Sequence, residues 1–153
     1  MLESVQRRFT SKINGVEHLS YWDRLRSLNL MSLQRRRERF LIIYLWKIIN
    51  LKVKNDIGAV WRLCPRKGIV ISIPRMPSSV NKINTIIDNF FTVKSAKLWN
   101  CLPKSINTKK SLISFKNSLD PFLLEIPDCP PVSGYFTVNS NSILDWQSSA
   151  NAI

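Results

Sequence analysis

The apolar positions of the first 51 residues recur at the spacing of an α-helix. A stripe along residues 2–13 is formed by Leu2, Val5, Phe9 and Ile13. Asn14-Gly15 is a typical helix stop, so this first helix ends there. Ser20 and Asp23 then form a pattern like a capping box, which predicts the start of a second, short helix.

A third and longer helix is predicted over residues 32–51, with Ser32 as its N-cap. Its first half carries four arginines, whereas its second half is apolar nearly all round and is expected to be buried. Cations near a helix N-terminus oppose the macrodipole by about 0.3–1 kcal/mol each. We therefore expect an anion to meet the arginines, and phosphate suits both arginine and a helix N-terminus. The alternative is a solvated basic face, the usual role of a charge run.

The middle of the chain predicts a small β ribbon. The β-branched stretch GIVISIP, residues 68–74, has the composition of a strand, and FFTVKS, residues 90–95, is its expected partner. Because a lone hairpin is marginal in water, this ribbon is expected to pack on the helices and to bury Val70, Phe91 and Val93.

The last third predicts two further helices and a tail. Ser95 is expected to cap a short helix that ends at Trp99, and Ser111 to begin another that Pro121 kinks or restarts. From Pro127 the chain is rich in Pro, Ser and Asn and is too polar to fold alone, although Ile143, Leu144 and Trp146 are expected to dock on the body.

These elements together predict a mainly α fold: a small helical bundle with a minor two-stranded β ribbon and an irregular C-terminal tail. The predicted segments are a basic helical region over residues 1–51, a ribbon with helices packed on it over residues 52–126, and the tail over residues 127–153.

The net charge indicates the kind of partner. The 153 residues carry 23 Lys and Arg against 10 Asp and Glu, a formal net charge of +13. Residues 1–75 hold 16 of these bases and 5 of these acids, a net charge of +11, against +2 for residues 76–153, so polyanion binding is expected through the first 40 residues. Such a surplus favours a polyanion: RNA, DNA or an anionic membrane surface. Tyr21 and Trp22 are near enough to the arginines to stack on an unpaired base, although a core role is the commoner one for such aromatics.

The patterns of known catalytic and metal sites are missing from the sequence. Three widely spaced cysteines and the single His18 form no zinc set and no disulfide framework, so reduced thiols and an intracellular setting are expected. Four glycines form no phosphate loop, and no apolar run reaches the roughly 20 residues that a bilayer needs. We therefore predict no cofactor, no metal, no small-molecule substrate and no transmembrane segment.

Several stretches resemble one family in their order along the chain. LESVQRRFTSKI and YWDRLRSLNLMSLQRRRERFLIIYLWKII resemble the region just beyond the polymerase palm in reverse transcriptases of LINE-type non-LTR retrotransposons, of the chicken-repeat and jockey-like kinds. FTVKSAKLWNCLPKSI, SLISFKNSLDPFLLEIPDCPP and GYFTVNSNSILDW resemble the carboxyl-terminal end of the same polyproteins. The resemblance covers about residues 2–146.

The resemblance implies a thumb-proximal and carboxyl-terminal piece without an active site. The family's polymerase needs a pair of metal-binding aspartates, and no two aspartates are adjacent here. In the intact polymerase such a region would grip RNA or the template-primer backbone, beside the rest of the reverse transcriptase in the nucleus or cytoplasm. The residues predicted to contact phosphate are Arg7, Arg8, Lys12, Arg24, Arg26, Arg35, Arg36, Arg37 and Arg39.

Two alternatives remain beside non-catalytic nucleic-acid binding. The first is a membrane-surface or protein-interaction module, in which the amphipathic helix over residues 32–51 lies on anionic lipid. This alternative requires Leu41, Leu45 and Trp46 to be exposed. The second is a truncated remnant of an element with no activity of its own.

Overall fold

The computed structural model describes residues 2–53, 61–64, 68–71, 87, 90–129 and 141–150. In these residues the chain is mainly α-helical with a minor antiparallel ribbon, which confirms the predicted fold class. The chain forms two compact units. Unit 1 is Met1–Arg39 together with Pro121–Ile153, and unit 2 is Phe40–Asp120, a division that does not follow the three segments predicted from composition.

Unit 1 contains the first two helices, the start of the third, the end of the sixth and the last helix. The helices with residues in it are α1 (Leu2–Thr10), α2 (Tyr21–Ser27), the start of α3 (Leu33–Ile49), the end of α6 (Leu112–Glu125) and α7 (Ile143–Ala150). The predicted caps are confirmed: Ser20 accepts a hydrogen bond from the Asp23 amide, and Ser32 accepts one from the Arg35 amide at 3.0 Å. Gly15, with φ +90°, lies in the turn between the first two helices, where a side chain would be strained.

Unit 2 contains the rest of α3, β1 (Trp61–Cys64), β2 (Gly68–Ile71), α4 (Phe91–Asn100), α5 (Lys104–Asn107) and the start of α6. β1 and β2 pair antiparallel, with Cys64 opposite Gly68. The Asn100 side chain bonds both backbone groups of Ile69 and so attaches α4 to β2. The Trp46 and Phe115 rings stack at 5.6 Å, and Trp46 donates its indole N–H to the Lys109 carbonyl at 2.9 Å.

The strand predicted over residues 90–95 is wrong. This stretch begins α4, and β2 pairs with β1 instead. Buried side chains recur at every third residue, at Val93, Ala96 and Trp99. Burial of this helical face outweighs the β-branched composition that favours a strand. The predicted cap at Ser95 is wrong for the same reason, because Ser95 lies inside the helix and bonds the Phe91 carbonyl. The Val70 side chain lies outside the described residues.

The C-terminal part is more ordered than its composition predicts. α6 is one helix through the exposed Pro121, so the predicted restart is wrong. A proline has no N–H and so removes only one backbone hydrogen bond of the helix, while the neighbouring Leu119 and Leu123 remain buried. Ile143 is buried at the start of α7, which confirms its predicted docking. Residues 130–140 and 151–153 of the predicted tail lie outside the described residues.

Candidate nucleic-acid interface

Two carboxylates of the protein occupy the N-terminus of α3, where the sequence predicted a phosphate. The Ser32 amide donates to Asp128 Oδ2 at 2.6 Å, and the Ser32 hydroxyl donates to Asp128 Oδ1 at 2.7 Å. The Leu33 amide donates to Glu3 Oε2 at 3.1 Å. Free amides at a helix N-terminus favour anions. The anion expected at this position is therefore intramolecular in unit 1.

Arg35 lies beneath this helix start and is fully buried. Its guanidinium donates to the carbonyls of Leu123, Pro127 and Asn141 at 3.3, 2.9 and 3.3 Å, and its Nε lies 3.7 Å from Asp128 Oδ1. Burial lowers the pKa of Arg35 from its ordinary value, and the Asp128 carboxylate opposes this shift by favouring the charged form. Arg35 therefore joins α3 to the C-terminal residues of unit 1 and is not part of an exposed cluster.

A third acidic side chain, Glu38, is buried one turn further along α3. It accepts hydrogen bonds from the Gln34 amide group at 3.0 Å, the Ser142 hydroxyl at 2.5 Å and the Ile143 backbone amide at 3.0 Å. The Asn141 side chain completes the network by donating to Ser32 Oγ at 2.8 Å and to Asp128 Oδ1 at 2.6 Å. These polar residues tie the start of α7 to α3.

Two further predicted phosphate ligands are engaged inside unit 1. Arg24 is buried and donates to the Leu19 carbonyl and, at 3.4 Å, to the Thr10 hydroxyl. Arg36 is half-buried and donates to the Met31 carbonyl at 3.0 Å and to the Gln6 side chain at 2.9 Å. The prediction that all nine cations share one surface is thus corrected for Arg24 and Arg35, whose guanidinium groups are buried against backbone carbonyls.

The remaining predicted cations reach solvent. The exposed ones are Arg7, Arg8, Lys12, Arg26 and Arg37, and Arg39 is half-buried. The Arg7 guanidinium lies 4.6 Å from the ring centre of Tyr21, and the Arg26 guanidinium lies 3.6 Å from the Asp23 carboxylate. Tyr21 is buried and donates its hydroxyl to Glu3. Burial, with the Glu3 carboxylate, raises the pKa of Tyr21 well above its usual range. Tyr21 thus has the core role and is not a surface platform.

The first helix packs with its polar side inward. Glu3, Gln6 and Thr10 recur at three and four residues, and they bond groups of α2, the loop before α3 and α1 itself. Val5 and Phe9 lie to one side of this polar face and are exposed. Of the predicted apolar stripe, Val5 and Phe9 face solvent, whereas Ile13 is half-buried and lies beyond the end of α1 at Thr10, three residues before the predicted end of this helix.

The excess positive charge belongs mainly to unit 2. Unit 2 carries 14 Lys and Arg against 3 Asp and Glu, a net charge of +11, whereas unit 1 carries 9 against 7, a net charge of +2. Counted over its described residues alone, unit 2 has 9 bases and the single acid Asp120. The bases are Lys47, Lys52, Arg62, Lys94, Lys97, Lys104, Lys109, Lys110 and Lys116. Division of the sequence at residue 75 conceals this contrast. Unit 1 combines the arginines near the N-terminus of the chain with acidic residues near its C-terminus.

Comparisons with known proteins leave the family open. No protein-family model, curated protein or solved structure matches this chain. Among the described residues, no group of three or more His, Cys, Asp and Glu side chains is arranged to hold a metal ion. No helix in the same part of the chain is long and apolar enough to cross a membrane.

Proposed function

We propose that this chain is a non-catalytic nucleic-acid-binding piece of a LINE-type retrotransposon reverse transcriptase polyprotein. It binds the phosphate backbone of RNA or of a template-primer duplex through surface lysines and arginines, in the nucleus or the cytoplasm. The family origin rests on the ordered resemblance between residues 2 and 146. The binding activity rests on charge and exposure.

The observation that carries the proposal is the charge of unit 2. Nine bases against one acid in its described residues give this unit a large surplus of positive charge. Such a field attracts polyanions and accelerates their association. Lys52, Lys104 and Lys110 are exposed and available for phosphate contact. In unit 1 the exposed Arg8 and Arg37 supply further cations, while Arg35 is excluded by its burial.

The proposal is tested by fluorescence anisotropy of a labelled RNA hairpin across a salt series. One variant changes Arg8, Lys12 and Arg37 to Gln, and a second changes Lys104, Lys110 and Lys116 to Gln. Each phosphate contact contributes about 0.9 to the slope of log K against log salt. Three lost contacts therefore lower the slope by roughly 2 to 3, and we expect the larger loss for the unit 2 variant.

The matched control changes the same three lysines of unit 2 to Arg, which keeps the charge and should keep the slope. Circular dichroism establishes that every variant is folded. Coincident binding curves for the parent and both Gln variants would overturn the proposal, as would a folded parent that binds nothing at low salt; the remnant hypothesis then takes its place.

A second candidate function is attachment to an anionic membrane surface, and the exposed apolar side of α1 favours it. Leu45 and Trp46 are buried in α3, so that helix does not offer them to lipid. Val5 and Phe9 are exposed instead, and the exposed Arg8 lies in the same helix. An apolar face beside cations is typical of interfacial helices.

Vesicle flotation tests this candidate with phosphatidylserine vesicles and, as the comparison, phosphatidylcholine vesicles. Changing Val5 and Phe9 to Ser should abolish flotation with the anionic vesicles. The control changes Leu124, an exposed apolar residue of α6, to Ser and should float like the parent. Absence of parent flotation, or equal flotation of all three proteins, argues against membrane attachment through α1.

A further inference from the structure

Two aromatic side chains lie one turn apart on the outward side of α3 in unit 2. Phe40 is 62% exposed and Tyr44 is 40% exposed, whereas Ile42 and Leu45 of the same helix are fully buried. Residues four apart on a helix are neighbours on its surface. The two rings therefore form one exposed aromatic strip along the helix.

The start of α4 extends this strip. The Tyr44 ring meets the Phe91 ring at 5.3 Å with an angle of 70° between their planes. Phe90, the residue just before α4, is 54% exposed. The contact between Tyr44 and Phe91 fixes the orientation of the strip relative to α4. We call the three residues Phe40, Tyr44 and Phe91 the aromatic surface; Phe90 is the exposed neighbour of Phe91 in the chain.

Lysines accompany the aromatic surface on both helices. Lys47 lies three residues after Tyr44 in α3, and Lys94 lies three residues after Phe91 in α4. Residues 40–53 and 90–119, which contain both helical segments, include no Asp or Glu. Within these two stretches the aromatic surface is accompanied by lysines and by no acidic residue.

We infer that the aromatic surface stacks on unpaired bases of RNA or single-stranded DNA while Lys47 and Lys94 contact the adjoining phosphates. Aromatic rings beside cations are the usual means of binding single strands, because every base offers a face for stacking. In a duplex those faces are already stacked, and only the backbone is offered to such a surface. The inference rests on the proposed nucleic-acid binding and specifies its ligand as the single-stranded form.

The experiment compares labelled single-stranded RNA and DNA of one unstructured sequence with a hairpin whose paired stem is closed by a non-nucleotide linker, by anisotropy across a salt series. The test variant changes Phe40 and Tyr44 to Leu, which keeps apolar character and removes the rings. The control changes Ile113, an exposed apolar residue of α6 in the same unit, to Ala. Circular dichroism compares the folding of all proteins, and the single change of exposed Phe40 to Leu serves if the double variant unfolds.

We expect the parent to prefer single strands and the double variant to bind them about 10-fold more weakly, the scale of one lost base stack. Because stacking releases no counterions, the salt slope should not change, in contrast to the slope lost in the lysine variants. Hairpin binding and the Ile113 control should match the parent. Comparison of RNA with DNA shows whether the 2′-hydroxyl contributes.

Parent binding that is equal for hairpin and single strand, and unaltered by removal of the rings, would refute the inference while the proposed function stands. A folded parent that binds neither the single strands nor the hairpin would refute both the inference and the proposed function. An aromatic surface that serves a partner protein or a lipid would give the first of these patterns, since removal of its rings would then leave nucleic-acid binding unchanged.

Discussion

Replacement of Arg35 by Gln is expected to destabilise the fold and to leave nucleic-acid contacts intact. The Arg35 guanidinium is fully buried, and its hydrogen bonds end on three backbone carbonyls from two later parts of unit 1. Gln is shorter and uncharged. The carbonyls therefore lose their donors, and the Asp128 carboxylate loses the cation 3.7 Å away.

The magnitude follows from the surroundings of Asp128. Removal of one member of a buried ion pair typically costs about 3–5 kcal/mol. Asp128 is 22% exposed and keeps hydrogen bonds from the Ser32 amide, the Ser32 hydroxyl and the Asn141 side chain. These remaining contacts set the expected loss at the lower end, about 3 kcal/mol. For a chain of this size, such a loss lowers the unfolding midpoint by roughly 6–12 °C.

Thermal unfolding followed by circular dichroism measures this loss, and urea unfolding gives the corresponding free energy. The matched control is Arg37→Gln on the same helix, because Arg37 is exposed. Its free energy of unfolding should change by no more than about 0.5 kcal/mol. Below the melting temperature, Arg35→Gln should retain the salt slope of RNA binding shown by the parent.

The opposite pattern would refute this account of Arg35. If Arg35→Gln melts with the parent and its salt slope falls by about one, the guanidinium contacts phosphate and is not enclosed by the C-terminal residues. The result also bears on design of the binding assay. If a variant replaced every arginine at the start of α3, a loss of binding could come from the loss of the buried Arg35 contacts. A binding variant should therefore replace only the other arginines and keep Arg35.

Two further predictions concern unit 1. The free energy of unfolding should decline as pH rises above about 10, because burial and Glu3 raise the pKa of Tyr21 in the folded chain and the unfolded chain therefore releases this proton first. Urea midpoints measured across this pH range should fall less steeply for Tyr21→Phe. A pH profile that is the same in the variant and the parent would contradict the buried hydroxyl. Ser32→Ala should cost about 2 kcal/mol in urea unfolding, since Ser32 is buried and bonded to Asn141 and Asp128 as well as capping α3. The exposed cap Ser20→Ala should cost about 0.5–1 kcal/mol, and equal losses would argue against the buried network.

Local signals in the sequence predict the helix starts well. Ser20 and Ser32 act as caps because a side-chain oxygen beside free amides is a property of a few consecutive residues. The position of β2 was likewise predictable from its β-branched residues. The strand that pairs with β2 was not predictable. Residues 90–95 have a strand-like composition, but burial of the helically spaced Val93, Ala96 and Trp99 favours a helix there.

The role of Arg35 was beyond local prediction. Its neighbours in sequence are arginines, and exposure distinguishes it from Arg37 only after the chain has folded. Its acceptors lie 88 to 106 residues away, and nothing near Arg35 indicates them. Asp128 and Asn141 were missed for the same reason. The one local hint was the unfavourable placement of cations at a helix N-terminus, which correctly predicted an anion but not that the protein supplies it.

The bond from Arg35 to Asn141 also sets an order of events during synthesis. Asn141 follows Arg35 by 106 residues, so the ribosome adds it roughly 5–20 s later at ordinary elongation rates. Until Leu123 and Asp128 have been added, the nascent chain lacks acceptors that later bind the Arg35 guanidinium and the Ser32 amide. A chain that stops before Asp128 would never gain the second of these acceptors. If such a chain bound RNA through Arg35, that binding would be a property of the unfinished fold and not of the mature surface.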